Sequence, residues 1–187
     1  MRIAGVLLLT PAVFRDERGF FKETFVKSRY ADFGITANFV QDNVSFSRKS
    51  VLRGLHGDNR MSKLVQVLRG EVFDVVVDAR PESPTFGEWE SFKLTESNHH
   101  QIYVPEGCLH GYLALSEDVV FSYKQTAEYE ANREVGVLWC DEDLAIQWPL
   151  TTAPIMSMKD RQNPRFRDLF GTRRGDAPGA ASARISR

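Results

Sequence analysis

The 187-residue sequence has few of the features that mark secreted, membrane-spanning or nucleic-acid-binding proteins. Its two cysteines, Cys108 and Cys140, are too few for a disulfide framework. The N-terminal apolar run, residues 6–9, is too short for a signal peptide or a membrane span. The formal net charge of −1 leaves no electrostatic footprint for nucleic acid or an anionic membrane. These absences predict a cytoplasmic protein that has neither nucleic acid nor membrane as a partner.

Short segments with apolar side chains at every second position fill most of the chain and predict β-strands. Helical patterns are scarce, and the two candidates are residues 27–34 and 164–170. The spacing of the segments predicts an all-β sandwich or barrel with a few short peripheral helices. The predicted strands are 19–26, 38–47, a hairpin at 63–80, 88–95, 100–105, 110–116 and 119–125.

A change in composition near the C-terminus predicts the domain boundary. Residues 1–170 contain no linker and are expected to form a single domain. Residues 171–187 are rich in Gly, Ala, Ser and Arg and contain almost no large apolar side chain, so they are expected to form a disordered tail.

The predicted hairpin places two opposite charges on one face. If Arg69 and Gly70 form a two-residue loop, Val65 lies opposite Asp74, and Lys63 is a diagonal neighbour of Asp74. Two interpretations are open. The pair could line the interior of a barrel, where both charges need partners, or it could be a weak pair on the surface.

Four separate segments each contribute one acid–base side chain, of three kinds. His56 lies in VLRGLHGD, His110 in VPEGCLHGY, Tyr123 in FSYKQ and Asp160 in SMKD. A lone histidine in a strand is most often packed or solvated, but four such groups together are the components of a proton-transfer site.

A metal site is the alternative interpretation of the same histidines. PEGCLH resembles the second metal motif of cupin barrels, and His56, Asp58 and His110 could form a thin facial triad. The second histidine of the first cupin motif is missing, and Arg60 and Lys63 bring positive charge to the loop, which disfavours a dication. The neighbouring pair at residues 99–100, two histidines, is predicted to form a solvated turn.

A set of motifs in one fixed order resembles the dTDP-4-dehydrorhamnose 3,5-epimerase family, whose members fold as cupin-type jelly-roll barrels. The motifs extend from residue 3 to about residue 165, and eight in the same order make the resemblance specific. They include FRDERGFFKETF (14–25), FVQDNVSFS (39–47), VLRGLH (51–56), KLVQVLRGEVFDVVVDARPESPTFGEW (63–89), YVPEGCLHGYLALSED (103–118), FSYKQTAEY (121–129), GVLWCDEDLAIQWP (136–149) and SMKD (157–160).

The resemblance implies epimerisation at C3, C5 or both centres of a 4-keto-6-deoxy sugar carried on a nucleotide diphosphate, with no cofactor and no metal. It implies that His56 is the general base, Asp160 its holder and Tyr123 the proton donor on the other face of the sugar. It also implies that Lys63 lies beside the ketone oxygen with Asp74 as its partner. The positions that it implies for substrate binding are Arg18, Glu23, Gln41, Asn43, Arg53, Asp74, His110 and Tyr129.

The resemblance further implies a homodimer in which N-terminal strands are exchanged, so that Arg18 and Glu23 reach the partner's pocket. The departure from the family is the short stretch RGLHGDNRMSK, because typical members have an aromatic residue and a glutamine after the histidine and a longer loop before the lysine. This HGD loop resembles a subgroup that acts on GDP-linked 4-keto heptoses, so dTDP and GDP both remain open. Gly57 and Asp58 are expected to lie beside the sugar. The alternative functions are a nucleotide-sugar 3,4-ketoisomerase, a metal-dependent cupin enzyme and a catalytically silent sugar-binding cupin.

Overall fold

The computed structural model describes residues 1–172, and its core is two antiparallel sheets of five strands each. The strand order is β1-β9-β6-β11-β4 in the first sheet and β12-β5-β10-β7-β8 in the second, and β2 and β3 form a separate hairpin. The elements are β1 Leu7–Leu9, β2 Val13–Asp16, β3 Gly19–Lys22, α1 Lys27–Ala31, β4 Gln41–Arg48, β5 Leu52–Gly57, β6 Lys63–Arg69, β7 Glu71–Asp78, β8 Trp89–Thr95, β9 Gln101–Val104, β10 Cys108–Ala114, β11 Asp118–Gln125, β12 Val135–Gly136, α2 Met158–Arg161 and α3 Phe166–Phe170.

The hydrophobic core lies between the two sheets. Strands β6, β9 and β11 of the first sheet contribute apolar side chains, and strands β7, β8 and β10 of the second sheet pack against them. This arrangement follows from the alternation in the sequence, because every second side chain of a strand points to the same face. The prediction of an all-β, cupin-type jelly-roll with short peripheral helices is confirmed.

The predicted hairpin at residues 63–80 is wrong. Val65 on β6 pairs with Ile102 and Tyr123, whereas Asp74 on β7 pairs with Tyr112 and Phe92, so the two strands belong to different sheets. The chain turns at Gly70, whose φ of 82° suits glycine, and a Cβ there would lie 2.4 Å from the carbonyl oxygen of Asp118. Two strand-forming segments around a short turn therefore fit a corner between two sheets as well as they fit a hairpin.

The two predicted helices form as short elements, α1 within residues 27–34 and α3 within residues 164–170. The additional helix α2, a single turn, was not predicted. Within residues 1–172, the structure contains no helix that is both long and apolar enough to cross a membrane. The predicted tail, residues 171–187, falls outside the described residues from residue 173 onward.

Candidate active site

Two neighbouring strands of the second sheet bring two histidines together. His56 on β5 pairs directly with His110 on β10, and the register shifts immediately afterwards. The strands approach closely there because Gly54 faces Gly111, and a Cβ on Gly54 would lie 2.6 Å from the Cα of Gly111. The glycines in RGLH and LHGY therefore allow the close approach of the backbones that carry the two histidines.

His56 is held by a carboxylate from a distant part of the chain. Its Nε2 lies 2.7 Å from Oδ1 of Asp160, which is 4% exposed. Ser157 caps helix α2, and its hydroxyl accepts a hydrogen bond from the backbone N–H of Asp160, which fixes the carboxylate in the first turn. Burial alone would raise the pKa of Asp160, but hydrogen bonding and the charge of His56 hold this pKa below its ordinary value. Because an ionised carboxylate can only accept, Nε2 of His56 carries the proton, and Nδ1 is the basic nitrogen of the neutral ring.

His56 lines a cavity of about 330 Å³ that also contains Lys63, Tyr123 and His110. Tyr123 comes from β11 and Lys63 from the start of β6, both in the opposite sheet. Burial, and then the neighbouring Tyr112 and Glu134, raise the pKa of Tyr123, so it keeps its proton at neutral pH. A base on one sheet therefore faces a cation and a proton donor on the other.

Asp74 does not have the partner that was predicted for it. Its Oδ2 lies 2.8 Å from Nε2 of His110, and the carboxylate is fully buried, so its hydrogen-bonded partner is His110 rather than Lys63. Its other oxygen, Oδ1, has no hydrogen-bond partner within residues 1–172. Burial lowers the pKa of Lys63, and the charges of Glu134, Asp58 and Asp74 oppose this shift in decreasing order. The charge of Asp74 therefore acts on Lys63 although its hydrogen bond goes to His110, and the two residues lie in the interior rather than on the surface.

Arg53 lies at one wall of the cavity and is fixed by hydrogen bonds to β4. Its Nε donates to the hydroxyl of Ser47 at 3.1 Å, and its Nη2 donates to the carbonyl of Phe46 at 3.0 Å. The hydroxyl of Tyr112 lies between those of Ser45 and Ser47, at 2.9 and 3.0 Å. The guanidinium is thus held in place by neutral acceptors, and its planar fork of donors suits an anionic ligand.

Three other predicted binding residues are linked to one another. The side-chain amide of Gln41 donates to Oδ1 of Asn43 at 2.8 Å, and its oxygen accepts from the backbone N–H of Tyr129 at 2.9 Å. Tyr129 lines the cavity. Gln41 and Asn43 lie on β4 in phase with Ser45, so they extend the same face of the strand.

Arg18 and Glu23 lie apart from this cavity in the single chain. Arg18 is at the exposed turn between β2 and β3 and pairs with Asp16 at 2.5 Å. Glu23 pairs with Arg29 of α1. The other ten of the twelve predicted site residues therefore lie in or beside one cavity of the single chain.

Several residues that line the cavity were not predicted. Glu134 and Lys159 form an ion pair at its edge, and Ser45, Tyr112, Phe121 and Ser157 complete its wall. Lys159 is adjacent to Asp160, so the SMKD motif contained a signal for it. Glu134 lies in a charged stretch, AEYEANREVG, that has the pattern of an ordinary surface loop.

Gly57 and Asp58, which are expected to lie beside the sugar, do not line the cavity of His56. Gly57 packs against β10, where a Cβ would lie 2.9 Å from the carbonyl oxygen of Cys108, and Asp58 pairs with Arg60. Both residues line a different cavity, of about 410 Å³, on the other side of β5. Strand alternation explains the placement of Gly57, because the residue after His56 must face away from it. Asp58 follows the end of β5 and is held by its pairing with Arg60.

The alternative metal triad is not formed. His56, Asp58 and His110 have three different partners, namely Asp160, Arg60 and Asp74. Across residues 1–172, no three His, Cys, Asp or Glu side chains are placed to hold a metal ion together. The prediction that His99 and His100 form a solvated turn is wrong for His99. Its side chain is only 5% exposed, and the centroid of its ring lies 4.8 Å from that of Phe20.

Comparison with known proteins identifies the family. The family model for dTDP-4-dehydrorhamnose 3,5-epimerase matches residues 1–168. A dTDP-4-dehydrorhamnose 3,5-epimerase from Salmonella typhimurium is 48% identical over 166 residues, which cover 87% of this chain and 91% of the relative. The crystal structure of dTDP-6-deoxy-D-glucose-3,5-epimerase from Legionella pneumophila, in complex with dTDP-4-keto-L-rhamnose, superposes with a TM-score of 0.88 at 43% identity, covering 90% of this chain and 92% of that one.

A 3′-monoepimerase from Streptomyces bikiniensis, in complex with dTDP-quinovose, superposes with a TM-score of 0.84 at 30% identity, covering 89% of this chain and 86% of that one. The similarity therefore extends over nearly the whole described fold, and it includes enzymes that differ in the number of centres they invert. The chain belongs to the dTDP-4-dehydrorhamnose 3,5-epimerase family.

Proposed function

We propose that this chain epimerises a 4-keto-6-deoxy sugar carried on a nucleotide diphosphate, at C3, C5 or both. The observation that carries the proposal is the convergence of the His56–Asp160 pair, Lys63 and Tyr123 on one cavity. Membership of the family supports the same reaction. Each of these residues has a role that its environment suits.

His56 acts as the general base. A ketone at C4 acidifies the hydrogens on both neighbouring carbons, so a neutral imidazole can remove either of them. Asp160 fixes the tautomer of the ring and stabilises the imidazolium that forms. The ketone of the substrate accepts the electron pair, so the step needs no separate electron acceptor.

Lys63 stabilises the charge that develops on the ketone oxygen. Removal of the proton gives an enolate, and its negative charge lies largely on O4. A cation in a cavity that excludes much of the water stabilises this charge by several kcal/mol. Burial lowers the pKa of Lys63, and the three nearby carboxylates help it to keep its proton, so it can act as that cation.

Tyr123 returns a proton to the face opposite His56. The two residues come from opposite sheets, so the planar enolate can lie between them. Reprotonation from the second face inverts the centre, whereas return of the proton by His56 restores the substrate. The raised pKa of Tyr123 keeps this donor protonated over the neutral range.

The remaining predicted residues bind the nucleotide diphosphate. Arg53 supplies a planar guanidinium that suits a diphosphate, and His110 lies beside the sugar. The dTDP sugars bound to the Legionella and Streptomyces relatives support dTDP as the nucleotide. Gly57 and Asp58 line a different cavity, so this departure from the family pattern gives no reason to prefer a GDP-linked heptose.

We also propose that residues 1–170 act as one domain, in a cytoplasmic homodimer. Apolar side chains that are more than half exposed lie on the β2–β3 hairpin and on β4 at the edge of the first sheet: Phe14, Phe20, Phe21, Val44 and Phe46. Exposed apolar surface of this kind favours burial against a partner. Arg18 and Glu23 are carried by or adjoin the same hairpin, which supports their contribution to the partner's cavity. The absence of a disulfide between buried Cys108 and exposed Cys140 agrees with a reducing compartment.

The reaction is tested with a panel of dTDP-, GDP-, UDP- and CDP-linked 4-keto sugars incubated in D₂O and followed by NMR. We expect deuterium at C3, C5 or both of the dTDP-linked sugar, and we expect it to persist after treatment with a chelator. Loss of exchange with chelator, and its return with iron or manganese, would contradict the proposal. Light scattering after size exclusion tests the dimer, and a monomer at micromolar concentration would contradict that part.

A further inference from the structure

Two loops lie side by side next to the cavity of His56. The first is the HGD loop, residues 57–62, which begins at the last residue of β5 and leads to β6. The second connects β11 to β12, and we call it the rim loop, residues 126–134. The HGD loop is the feature that departs from the family pattern, and the contacts that it makes with the rim loop suggest a role for it.

Hydrogen bonds join the two loops at both ends. At one end the backbone N–H of Ser62 donates to Oγ1 of Thr126 at 2.9 Å, and the N–H of Thr126 donates to the carbonyl of Ser62 at 3.1 Å. At the other end Val135, the first residue of β12, pairs with Gly57. Between these ends the rim loop spans eight residues whose position depends on side-chain contacts, residues 127–134.

An ionic chain joins the middle of the two loops. Asp58 is 6% exposed and accepts from both Nε and Nη2 of Arg60, at 3.2 and 2.9 Å. The remaining guanidinium nitrogen of Arg60, Nη1, donates to Oε1 of Glu130 at 3.0 Å. Asp58 therefore fixes the guanidinium in one orientation, and Arg60 holds the rim loop through Glu130. The buried carboxylate makes this arginine a rigid group, which loses less side-chain entropy on pairing than a free one.

The rim loop carries two residues of the cavity wall, and they lie on either side of this contact. Tyr129 immediately precedes Glu130, and its backbone N–H donates to Gln41. Glu134 pairs with Lys159 and lies 3.5 Å from the hydroxyl of Tyr129. Displacement of Glu130 would therefore move Tyr129 and Glu134 together, since both belong to the same short loop.

We propose that Asp58, Arg60 and Glu130 are positioning residues that hold the rim loop, and with it Tyr129 and Glu134, over the substrate. This inference rests on the proposed function for the identity of the substrate. It assigns the HGD loop a mechanical role, in a stretch where Gly57 and Asp58 stand in place of the aromatic residue and the glutamine of typical members. The effect of Arg60 and Glu130 is on binding, because neither lines the cavity in which the proton is transferred. Asp58 also acts on Lys63 through its charge, so the test leaves Asp58 in place.

The test compares three variants that each remove one charged group. Arg60→Met removes both contacts of the arginine, and Glu130→Gln removes the charge at the far end. Arg133→Met is the matched control, because Arg133 also pairs with Glu130, at 3.1 Å, but from within the rim loop. It acts on the HGD loop through its charge, as the smallest of the named interactions that lower the pKa of Asp58. Hydrogen–deuterium exchange of the free protein reports the rim loop directly, and steady-state kinetics with a dTDP-4-keto sugar report its effect on the substrate.

We expect the amides of residues 127–134 to exchange faster in Arg60→Met and Glu130→Gln and at the wild-type rate in Arg133→Met. We expect KM to rise about fivefold in the first two variants with kcat nearly unchanged, the size of effect expected of a partly exposed ion pair. The double variant Arg60→Met/Glu130→Gln should raise KM no further than either single variant, because each single variant already breaks the same Arg60–Glu130 contact between the loops.

Unchanged amide exchange in the rim loop would overturn the proposal, and so would faster exchange with an unchanged KM. A fall in kcat together with a lower melting temperature would show a merely structural role and would also overturn it. These outcomes differ from failure of the proposed function, which would appear as absence of deuterium incorporation by the wild-type protein. In that case the exchange experiment on the free protein still decides whether Arg60 holds the rim loop.

Discussion

Nε2 of His56 and Oδ1 of Asp160 lie 2.7 Å apart although 104 positions separate the two residues in the chain. The pair joins the end of β5 to the single turn of α2, and Ser157 fixes the carboxylate by capping that turn. The geometry places a tautomer-locked imidazole against a cavity that contains a lysine and a tyrosine from the other sheet.

The first prediction concerns this pair. His56→Ala should reduce deuterium incorporation into the 4-keto sugar by at least about a thousandfold, because the general base is removed. Asp160→Asn should reduce it by about a hundredfold, since the ring loses its fixed tautomer and the charge that stabilises the imidazolium. NMR in D₂O measures both rates. His100→Ala is the control and should exchange at the wild-type rate, and a His56→Ala variant that does so as well would show that the base lies elsewhere.

The second prediction separates removal of the proton from inversion. Tyr123→Phe should still exchange the proton at C3 or C5, because His56 can remove it and return a deuteron to the same face. Epimerised product should fall by about a hundredfold or more, because the donor on the opposite face is lost. The two quantities are read from one NMR time course. Tyr103→Phe, a change on the outer side of the first sheet, is the control. Equal losses of exchange and product in Tyr123→Phe would contradict the assignment.

The third prediction concerns the alkaline limit of activity. Lys63 stabilises the enolate only while it is charged, and its pKa lies below the ordinary lysine value because of burial. The value of kcat/KM should therefore fall as pH rises through this lowered pKa. The pKa of Tyr123 is shifted upward, so it titrates later. Lys63→Met should lose about a hundredfold in kcat at neutral pH.

Lys63→Arg supplies the matched comparison. A guanidinium keeps its charge throughout the accessible range, so the alkaline fall in kcat/KM should move to higher pH even if the absolute rate is lower. A pH–rate profile of wild type and variant decides this. An alkaline limb at the same pH in both proteins would assign the titration to another group.

The sequence predicted the fold class because alternation is a local property, and most predicted strands lie within two or three residues of those observed. The identity of the neighbouring strand is not local. Val65 pairs with Ile102, 37 positions away, and nothing near Gly70 distinguishes a turn within a sheet from a corner between sheets. The error in pairing Lys63 with Asp74 has this origin.

The candidate site was predicted in the same uneven way. Residues within recognisable motifs, such as His56 and Tyr123, were found, and the resemblance to a family supplied the distant Asp160. Glu134 was missed because its charged surroundings have the composition of a solvated loop. The burial of His99 was missed because it depends on Phe20 and Arg15, which reach it from the separate β2–β3 hairpin.

The last prediction concerns stability at acid pH and centres on Asp78. This carboxylate is fully buried at the end of β7 and accepts hydrogen bonds from Arg80, Ser83 and Thr85. Burial alone would raise its pKa, but these donors lower the pKa to about 2. Because the folded-state pKa lies below the unfolded value, the stabilisation is complete above about pH 4 and is lost as pH falls towards 2. The shift corresponds to about 2 kcal/mol.

Urea denaturation of wild type and Asp78→Asn between neutral pH and about pH 2.5 measures this contribution. The variant should be less stable at neutral pH, and the difference should shrink as the pH falls, because protonation removes from the wild type the charge that the variant already lacks. Asp42→Asn changes an exposed carboxylate that pairs with Lys124 on the surface, and it should show almost no difference at either pH. A stability difference for Asp78→Asn that is constant across this pH range would show that the hydrogen bonds act through geometry alone and not through the ionised carboxylate.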